Sequence, residues 1–596
     1  MQKLPLRPLR LIRLNKTETQ TNYPDGQSRD GVTGSGQMAE SRREAASIDP
    51  KNVIIMSPET LEEIQPIQRD AEAHQLLQRA PNNYLFNQAY QFWLYISLFT
   101  LTLLLTHTIA TAEYGMYARI QTTINTLIYI TAFGLEDATA NFVPSVFAEY
   151  GKAAAASLMR RMLSIRLGIL LVSVLVLLFG LTTLGNVIAQ LPVHGAREVA
   201  ASFTDPVIHS HIWPIVLYVI GSGITNLLMA ICASVMRMKV VLVIGSMVQL
   251  GLLISGVTVI QLGWGIDGVL WMQALLSLVG ATGFIFWLTS LLFARGVTYK
   301  QPLGPVLRLS FSAWLNNLVS GALLKQVVLF LLVYYSIARL ADTNVAFFNL
   351  SYQMADAANV LLVAGLSGVG ASALAAAYVG HNGTRLARSW QALIKVETLI
   401  AGPGLIFCLF NAESISHTLY GDKFDAVGPL LAIFLFFNIL VRITGSTIHL
   451  SSLYVVGKAG LVIVSQWVGL VLMIVSGILL IPKYGPAGAL IADGLARLVT
   501  GILMLLFLLP TLPRHYPLDL LRFTFRVLAV LVVAALPSIL WHPNSRILLS
   551  ASGGLFLVLC LILFYLVKPL SAADLEMIQA TKPATVRYLR WFARKK

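Results

Sequence analysis

Charged side chains set inside long apolar runs are the residues of this sequence best placed to do chemistry. At the centre of a bilayer a charge costs at least about 2.5 kcal/mol on insertion scales, so each one kept there is a functional candidate. The basic ones are Lys325, Arg442 and Arg497; the clearest acidic ones are Glu136, Asp137, Asp356 and Asp493. Asn317, Gly321 and Lys325 follow one another at steps of four, which puts them on one helix face. Asn349, Gln353 and Asp356 share a face of the next apolar run. The two stripes lie at similar depth, so Lys325 and Asp356 are expected to face a common water-filled cavity. Two readings of that pair stay open. Either Lys325 binds an anionic headgroup while Asp356 modulates its charge, or the two form a static pair that joins two helices. Arg442, flanked by Asn438 and Ser446 four residues away on each side, is a candidate second anion contact. Glu136 and Asp137 read as ion-coupling or gating acids, or as hydrogen-bonding groups near a helix end. Arg119 reads as an interfacial anchor. Asp493 and Arg497, four apart, are expected to neutralise each other within one helix.

These residues need long helices to hold them. The chain has 596 residues, 56% of them hydrophobic and only 12% charged, against about 25% charged in a soluble domain. So much apolar surface must face lipid. A helix crosses the hydrocarbon core in about 20 residues, and about 14 such stretches follow Tyr84. The second is expected at 117–143, the third at 165–185, the seventh at 309–337 and the ninth at 394–412. With the first residues placed in the cytoplasm, the intervening loops carry 16 Lys or Arg on the cytoplasmic side and 6 on the other. The cytoplasmic count includes Arg166 and Lys395. This positive-inside bias predicts a plasma-membrane protein with both termini cytoplasmic. The fold class is therefore all-α and polytopic.

Residues 1–80 hold equal numbers of acidic and basic residues and read as a cytoplasmic, largely disordered tail, with a short polar helix from Ser57 to Arg79. Residues 568–596 read as a basic interfacial helix, with Val586, Leu589 and Phe592 at helical spacing among Arg587, Arg590 and Arg594. Trp264-Gly265-Ile266-Asp267-Gly268 recurs 220 residues later as Tyr484-Gly485-Pro486-Ala487-Gly488, at the entries to spans six and twelve. Six spans is an even number, so the repeat is parallel. The expected organisation is two six-helix halves, 81–293 and 294–510, an extra helix pair, 511–567, and the basic tail.

Three further segments make the resemblance specific. They are Glu113-Tyr114-Gly115-Met116-Tyr117-Ala118 at the start of span two, Tyr484 to Ala489, and Leu570-Ser571-Ala572-Ala573-Asp574-Leu575-Glu576. With these the chain resembles, over roughly residues 82–580, the Wzx-type polysaccharide flippases of the multidrug/oligosaccharidyl-lipid/polysaccharide exporter superfamily. The long N-terminal tail departs from that family's usual short one. The resemblance implies alternating access by two halves and a lipid-linked, polyprenyl-pyrophosphate oligosaccharide as cargo. It also implies membrane lipids as surroundings, glycosyltransferases and a polysaccharide polymerase as partners, and a lateral groove for the lipid tail at the last two spans. Lys325 then contacts the pyrophosphate. The alternatives within the superfamily are an ion-coupled multidrug exporter, which needs an acidic cavity and usually has 12 spans, and a lipid II flippase.

Other classes fit poorly. No P-loop pattern occurs. The basic excess lies in short loops rather than on a soluble face, which argues against nucleic acid. A membrane glycosyltransferase should carry a large extramembrane loop with clustered acids or arginines, and the longest outer loop, 186–209, has no such cluster. Cys232, Cys408 and Cys560 lie far apart in apolar runs and read as small core hydrophobes. No metal-ligand spacing is present, and neither metal nor cofactor is expected.

Overall fold

A computed structural model describes residues 85–180, 206–294, 302–319, 324–336, 340–363, 383–444, 446–513, 515–541, 545–571 and 590–592, with a few single residues between. The N-terminal tail and most of the C-terminal basic helix lie outside the described residues.

The described residues are helical almost throughout. In chain order the main helices are α1 (Leu85–Thr108), α2 (Thr111–Ala132), α3 (Leu135–Leu175), α4 (Ile212–Ser234), α5 (Met238–Gln261) and α6 (Gly265–Leu292). Next come α7 (Leu303–Asn317), α8 (Leu324–Tyr335), α9 (Ala341–Val363), α10 (Gly383–Phe410) and the short α11 (Ala412–Tyr420). The last are α12 (Val427–Ile443), α13 (Ser446–Val455), α14 (Ala459–Tyr484), α15 (Pro486–Leu508), α16 (His515–Trp541) and α17 (Arg546–Val567). Eleven stretches are long and apolar enough to cross a membrane. They are α1, the second part of α3, α4 to α6, α10, α12 with α13, and α14 to α17. The chain is an all-α, multi-pass membrane protein.

Among the described residues α2, α7, α8 and α9 do not reach that length and apolarity, and α2 and α9 are notably polar. Helix α2 carries Glu113, Arg119 and five threonines, and α9 carries Asp342, Asn349, Gln353 and Asp356. A helix with that composition is stable in a bilayer only if neighbouring helices shield it from lipid. The structure packs α2 directly on α9. It also sets the α2–α3 corner on α7.

Several boundaries differ from the sequence expectation, among them the start of span nine, which is Gly383 rather than residue 394. Span two ends at Ala132, not near residue 143, because Phe133 and Gly134 both adopt left-handed conformations (φ 49° and 63°) that stop the helix. Glu136 and Asp137 therefore lie in the first turn of α3, where carboxylates favour the positive end of the helix dipole. Helix α3 bends at Gly151 (φ 78°) and runs on through a π-helical turn to Gly180, so span three starts well before residue 165. Arg166 is thus not in a loop but fully buried in mid-helix. Lys395 likewise sits inside α10, buried, with its ammonium 5.5 Å from the Phe523 ring centroid. Removing both from the loop count leaves the charge bias in the same direction.

The 220-residue repeat has a structural cause. Gly265 (φ 57°) and Gly485 (φ 54°) each sit at a hairpin joining two long helices. Three residues on, a Cβ on Gly268 would lie 2.3 Å from Val259, and one on Gly488 would lie 2.5 Å from the Leu480 carbonyl oxygen. Both hairpins need the same two glycines, one for its torsion and one for a close approach. Apolar packing fills the bundle on both sides of the seam where α2 meets α9. One cluster runs through nearly every helix, and a second, around Met159, Met162, Leu227 and Phe284, fills the corner end of α3 to α6.

Candidate functional site

The segment Glu113-Tyr114-Gly115-Met116-Tyr117 shows how sequence builds the seam. Glu113 accepts a hydrogen bond from the Ala110 amide (3.3 Å) and so closes the exposed start of α2. Tyr114 is fully buried and its hydroxyl accepts from Asn349 Nδ2 of α9 (3.2 Å). Gly115 lets the backbones meet: a Cβ there would lie 1.6 Å from the Asp342 carbonyl oxygen. The Tyr117 hydroxyl accepts from Gln273 Nε2 of α6 (2.6 Å). Arg119, expected as an interfacial anchor, reaches Asp342 across the seam (3.7 Å).

The polar stripe of α9 thus faces α1 and α2. Gln353 Oε1 accepts from the Thr102 hydroxyl of α1 (2.9 Å). Asp356, partly exposed, makes no direct hydrogen bond or ion pair among the described residues, and Tyr95 of α1, Tyr129 of α2, Tyr352 and Arg497 all lie within electrostatic reach of it. The Lys325 backbone stands in the first turn of α8. Its side chain, and the residues joining it to Asn317, lie outside the described residues.

Arg497 does more than the expected intrahelical pair. Its Nε donates to Asp493 Oδ2 (2.8 Å) and its Nη2 to the Tyr352 hydroxyl (2.7 Å). The guanidinium lies 5.6 Å from the Tyr352 ring centroid and 6.0 Å from that of Phe434. Asp493 is fully buried, whereas the Arg497 side chain is 31% exposed. A guanidinium offers five N–H donors in a rigid fork, so these bonds orient Arg497 without using all of them.

Arg442 is engaged by a residue that sequence reasoning missed. Its Nη1 donates to Glu397 of α10 and its Nη2 to Asn359 of α9 (3.3 Å). Glu397 is itself buried. The visible signal was an acid four residues inside an expected span. Arg442 thereby ties α12 to α9 and α10.

The corner between α2 and α3 makes a further contact, with α7. The Asn317 amide donates to Asp137 (2.6 Å), the Ser310 hydroxyl to the Phe133 carbonyl (3.0 Å), and the Trp314 indole to the Ile130 carbonyl (3.0 Å). Asn317 is thus engaged by Asp137. Behind this contact, Arg166 Nη2 lies 3.3 Å from Glu136, Nε donates to the Gly223 carbonyl (3.0 Å), and Nη1 donates to the Thr131 carbonyl. One buried cation holds the corner that docks on α7.

Away from the seam, α10 and α17 enclose an apolar groove of about 430 Å³, lined among others by Pro403, Phe407, Gly553, Phe556 and Cys560. Leu557 and Leu561 line it too and are more than half exposed, so it opens to the lipid side.

Residues 175–429 match the family model described as polysaccharide biosynthesis protein. No curated protein matches the sequence. The fold is shared with solved transporters of the MOP superfamily. The chain is similar to an inward-facing multidrug resistance MATE family transporter of that superfamily (TM-score 0.54, 16% identity, covering 69% of this chain and 92% of that one). It is similar to the lipid II flippase MurJ in an inward closed conformation (TM-score 0.55, 14% identity, 80% and 97%). It is similar to a MOP superfamily transporter from Pyrococcus furiosus whose binding pocket has reversed polarity (TM-score 0.51, 14% identity, 74% and 95%). These matches bear out the family resemblance read from the motifs.

Proposed function

We propose that this chain, a protein of the MOP transporter fold matching the polysaccharide biosynthesis family across residues 175–429, flips a polyprenyl-pyrophosphate-linked oligosaccharide from the inner to the outer leaflet. The observation that carries the reading is the groove between α10 and α17. A cargo with an apolar chain and a polar headgroup needs two unlike sites, and the molecule offers a lipid-facing apolar groove as well as a polar seam. The groove depends on α17, one of the two helices beyond twelve, which a drug exporter of 12 spans does not need. The lipid II flippase structure also covers more of this chain than the multidrug transporter does.

In this reading the halves 81–293 and 294–510 rock against each other. The α2–α9 seam and the corner on α7 are the two contacts that open in turn. Lys325 and the spare donors of Arg497 face the pyrophosphate. Asp356, embedded and without a direct partner among the described residues, is the ion-coupling candidate. Glu136 and Asp137 act at the corner, as gating groups. Both termini lie in the cytoplasm, at the plasma membrane, where the enzymes that build the lipid-linked glycan supply it. The protein catalyses no covalent step.

The test is reconstitution into liposomes with two probes, a fluorescent polyprenyl-pyrophosphate oligosaccharide and ethidium. Movement of the lipid probe to a quencher-accessible leaflet is expected, without ethidium flux. Ethidium exchange with an immobile lipid probe supports the drug-exporter alternative instead.

A further inference from the structure

The groove between α10 and α17 is already filled at one end by the protein itself. Phe592, in the short turn Arg590–Phe592, lines that end, its ring edge-to-face with Phe564 at 6.3 Å and 78°. The Phe592 carbonyl accepts a hydrogen bond from the Leu570 amide (3.2 Å), and Trp591 packs 6.4 Å from Tyr565. The turn is thus pinned on the end of α17, at the side of the membrane where the charge bias places the cytoplasm.

We propose that Phe592 is a displaceable stopper that sets how much hydrocarbon the groove accepts, and that a polyprenyl chain must push it aside to seat fully. The inference rests on the flippase reading above. Three observations carry it. The seat is chemically right for a hydrocarbon, because its present occupant is a ring held by another ring. The groove opens to lipid through Leu557 and Leu561, so its guest arrives from the membrane phase. And the space is short: about 430 Å³ takes about 14 methylene-sized groups if each fills roughly the ~30 Å³ of a water molecule, or about three isoprene units. A short polyprenyl chain fits with Phe592 in place, whereas a longer one needs the end open.

The experiment uses the full chain in nanodiscs and measures binding of two probes, farnesyl pyrophosphate and undecaprenyl pyrophosphate, by native mass spectrometry. An edge-to-face ring pair corresponds to a factor of roughly 2–10 in an equilibrium. Phe592→Ala is therefore expected to raise the apparent affinity for the undecaprenyl probe by about that factor and to leave the farnesyl probe within twofold. Gly553→Leu puts a side chain into the groove, where a Cβ already lies 3.4 Å from Phe407, and is expected to weaken both probes. Gly554→Leu, with open space around its Cβ, is the folding control and should bind like wild type. If Phe592→Ala matches wild type while Gly553→Leu weakens binding, the stopper is refuted and the lipid groove stands. If Gly553→Leu also matches wild type, the groove is not the seat and the inference fails. If the wild type binds neither probe, the flippase reading itself fails, and this inference with it.

Discussion

Replacing Arg166 with methionine removes a guanidinium that is fully buried and serves three groups at once: Glu136, the Gly223 carbonyl and the Thr131 carbonyl. Breaking a buried ion pair from one side costs about 3–5 kcal/mol, because the partner charge is left uncompensated. Here the Glu136 side chain is 24% exposed and can recover part of its hydration, so the lower part of that range applies to the pair. Each orphaned carbonyl adds about 1 kcal/mol or more. The expected loss is about 5 kcal/mol, a shift of roughly 10³–10⁴ in the folding equilibrium. Titration of the purified protein with SDS, followed by tryptophan fluorescence, reads it. The pairing is isolated by a double-mutant cycle with Glu136→Gln, in which the double variant should lose less than the sum of the singles by about 1 kcal/mol or more. If Arg166→Met stays within about 1 kcal/mol of wild type, or the two substitutions simply add, Arg166 does not hold the corner as described.

Other expectations follow from the same contacts. Gly115→Leu drives a side chain into the α9 backbone, and overpacking costs about 1–3 kcal/mol; transport per molecule should fall sharply, and full transport at normal expression refutes the close approach. Asn317→Leu removes a hydrogen bond to a carboxylate, worth about 1.5–3 kcal/mol, and should open the corner about tenfold or more; maleimide labelling of a cysteine placed at Ser310 reports it, and unchanged labelling counts against a gate there. Lys325→Ala should abolish transport in a normally expressed protein if Lys325 binds the headgroup; retained transport sinks that role. His417, in the connection between α10 and α12, is held above its ordinary pKa mainly by its hydrogen bond to Asp425 (3.1 Å), helped by Asp422 (3.4 Å). A raised histidine stabilises below its ordinary pKa, and the contribution is lost as pH rises through the raised value. Amide exchange across residues 412–425, after correction for its intrinsic base-catalysed rise, should therefore quicken as pH climbs above the ordinary histidine range, and His417→Gln should remove that step; an unchanged step in the variant refutes the assignment.

Much of the architecture was legible from composition because the bilayer is a severe solvent. Long apolar runs must become helices, since no other backbone satisfies its own hydrogen bonds there, so fold class and span order followed from hydropathy alone. Local pairs were legible too: Asp493 and Arg497 are four residues apart, and helix geometry brings them together whatever surrounds them. The polar stripe of α9 was readable as one face for the same reason. What no spacing could show was what that face meets. Tyr114, Thr102 and Asn349 are small signals in separate helices, and only the close approach at Gly115 makes them neighbours. Arg166 and Lys395 read as loop charges because apolar runs do not reveal where a helix starts when its first turns are themselves buried. Glu397 and Arg442 lie 45 residues apart and meet only because α10 and α12 pack side by side. The sequence by itself determined which residues had to be in the membrane and which shared a helix face, because those depend on local geometry and solvent. Which charges cancel, which face a gap, and which ring ends the groove were decided by helix packing, since those depend on distances that chain spacing does not set.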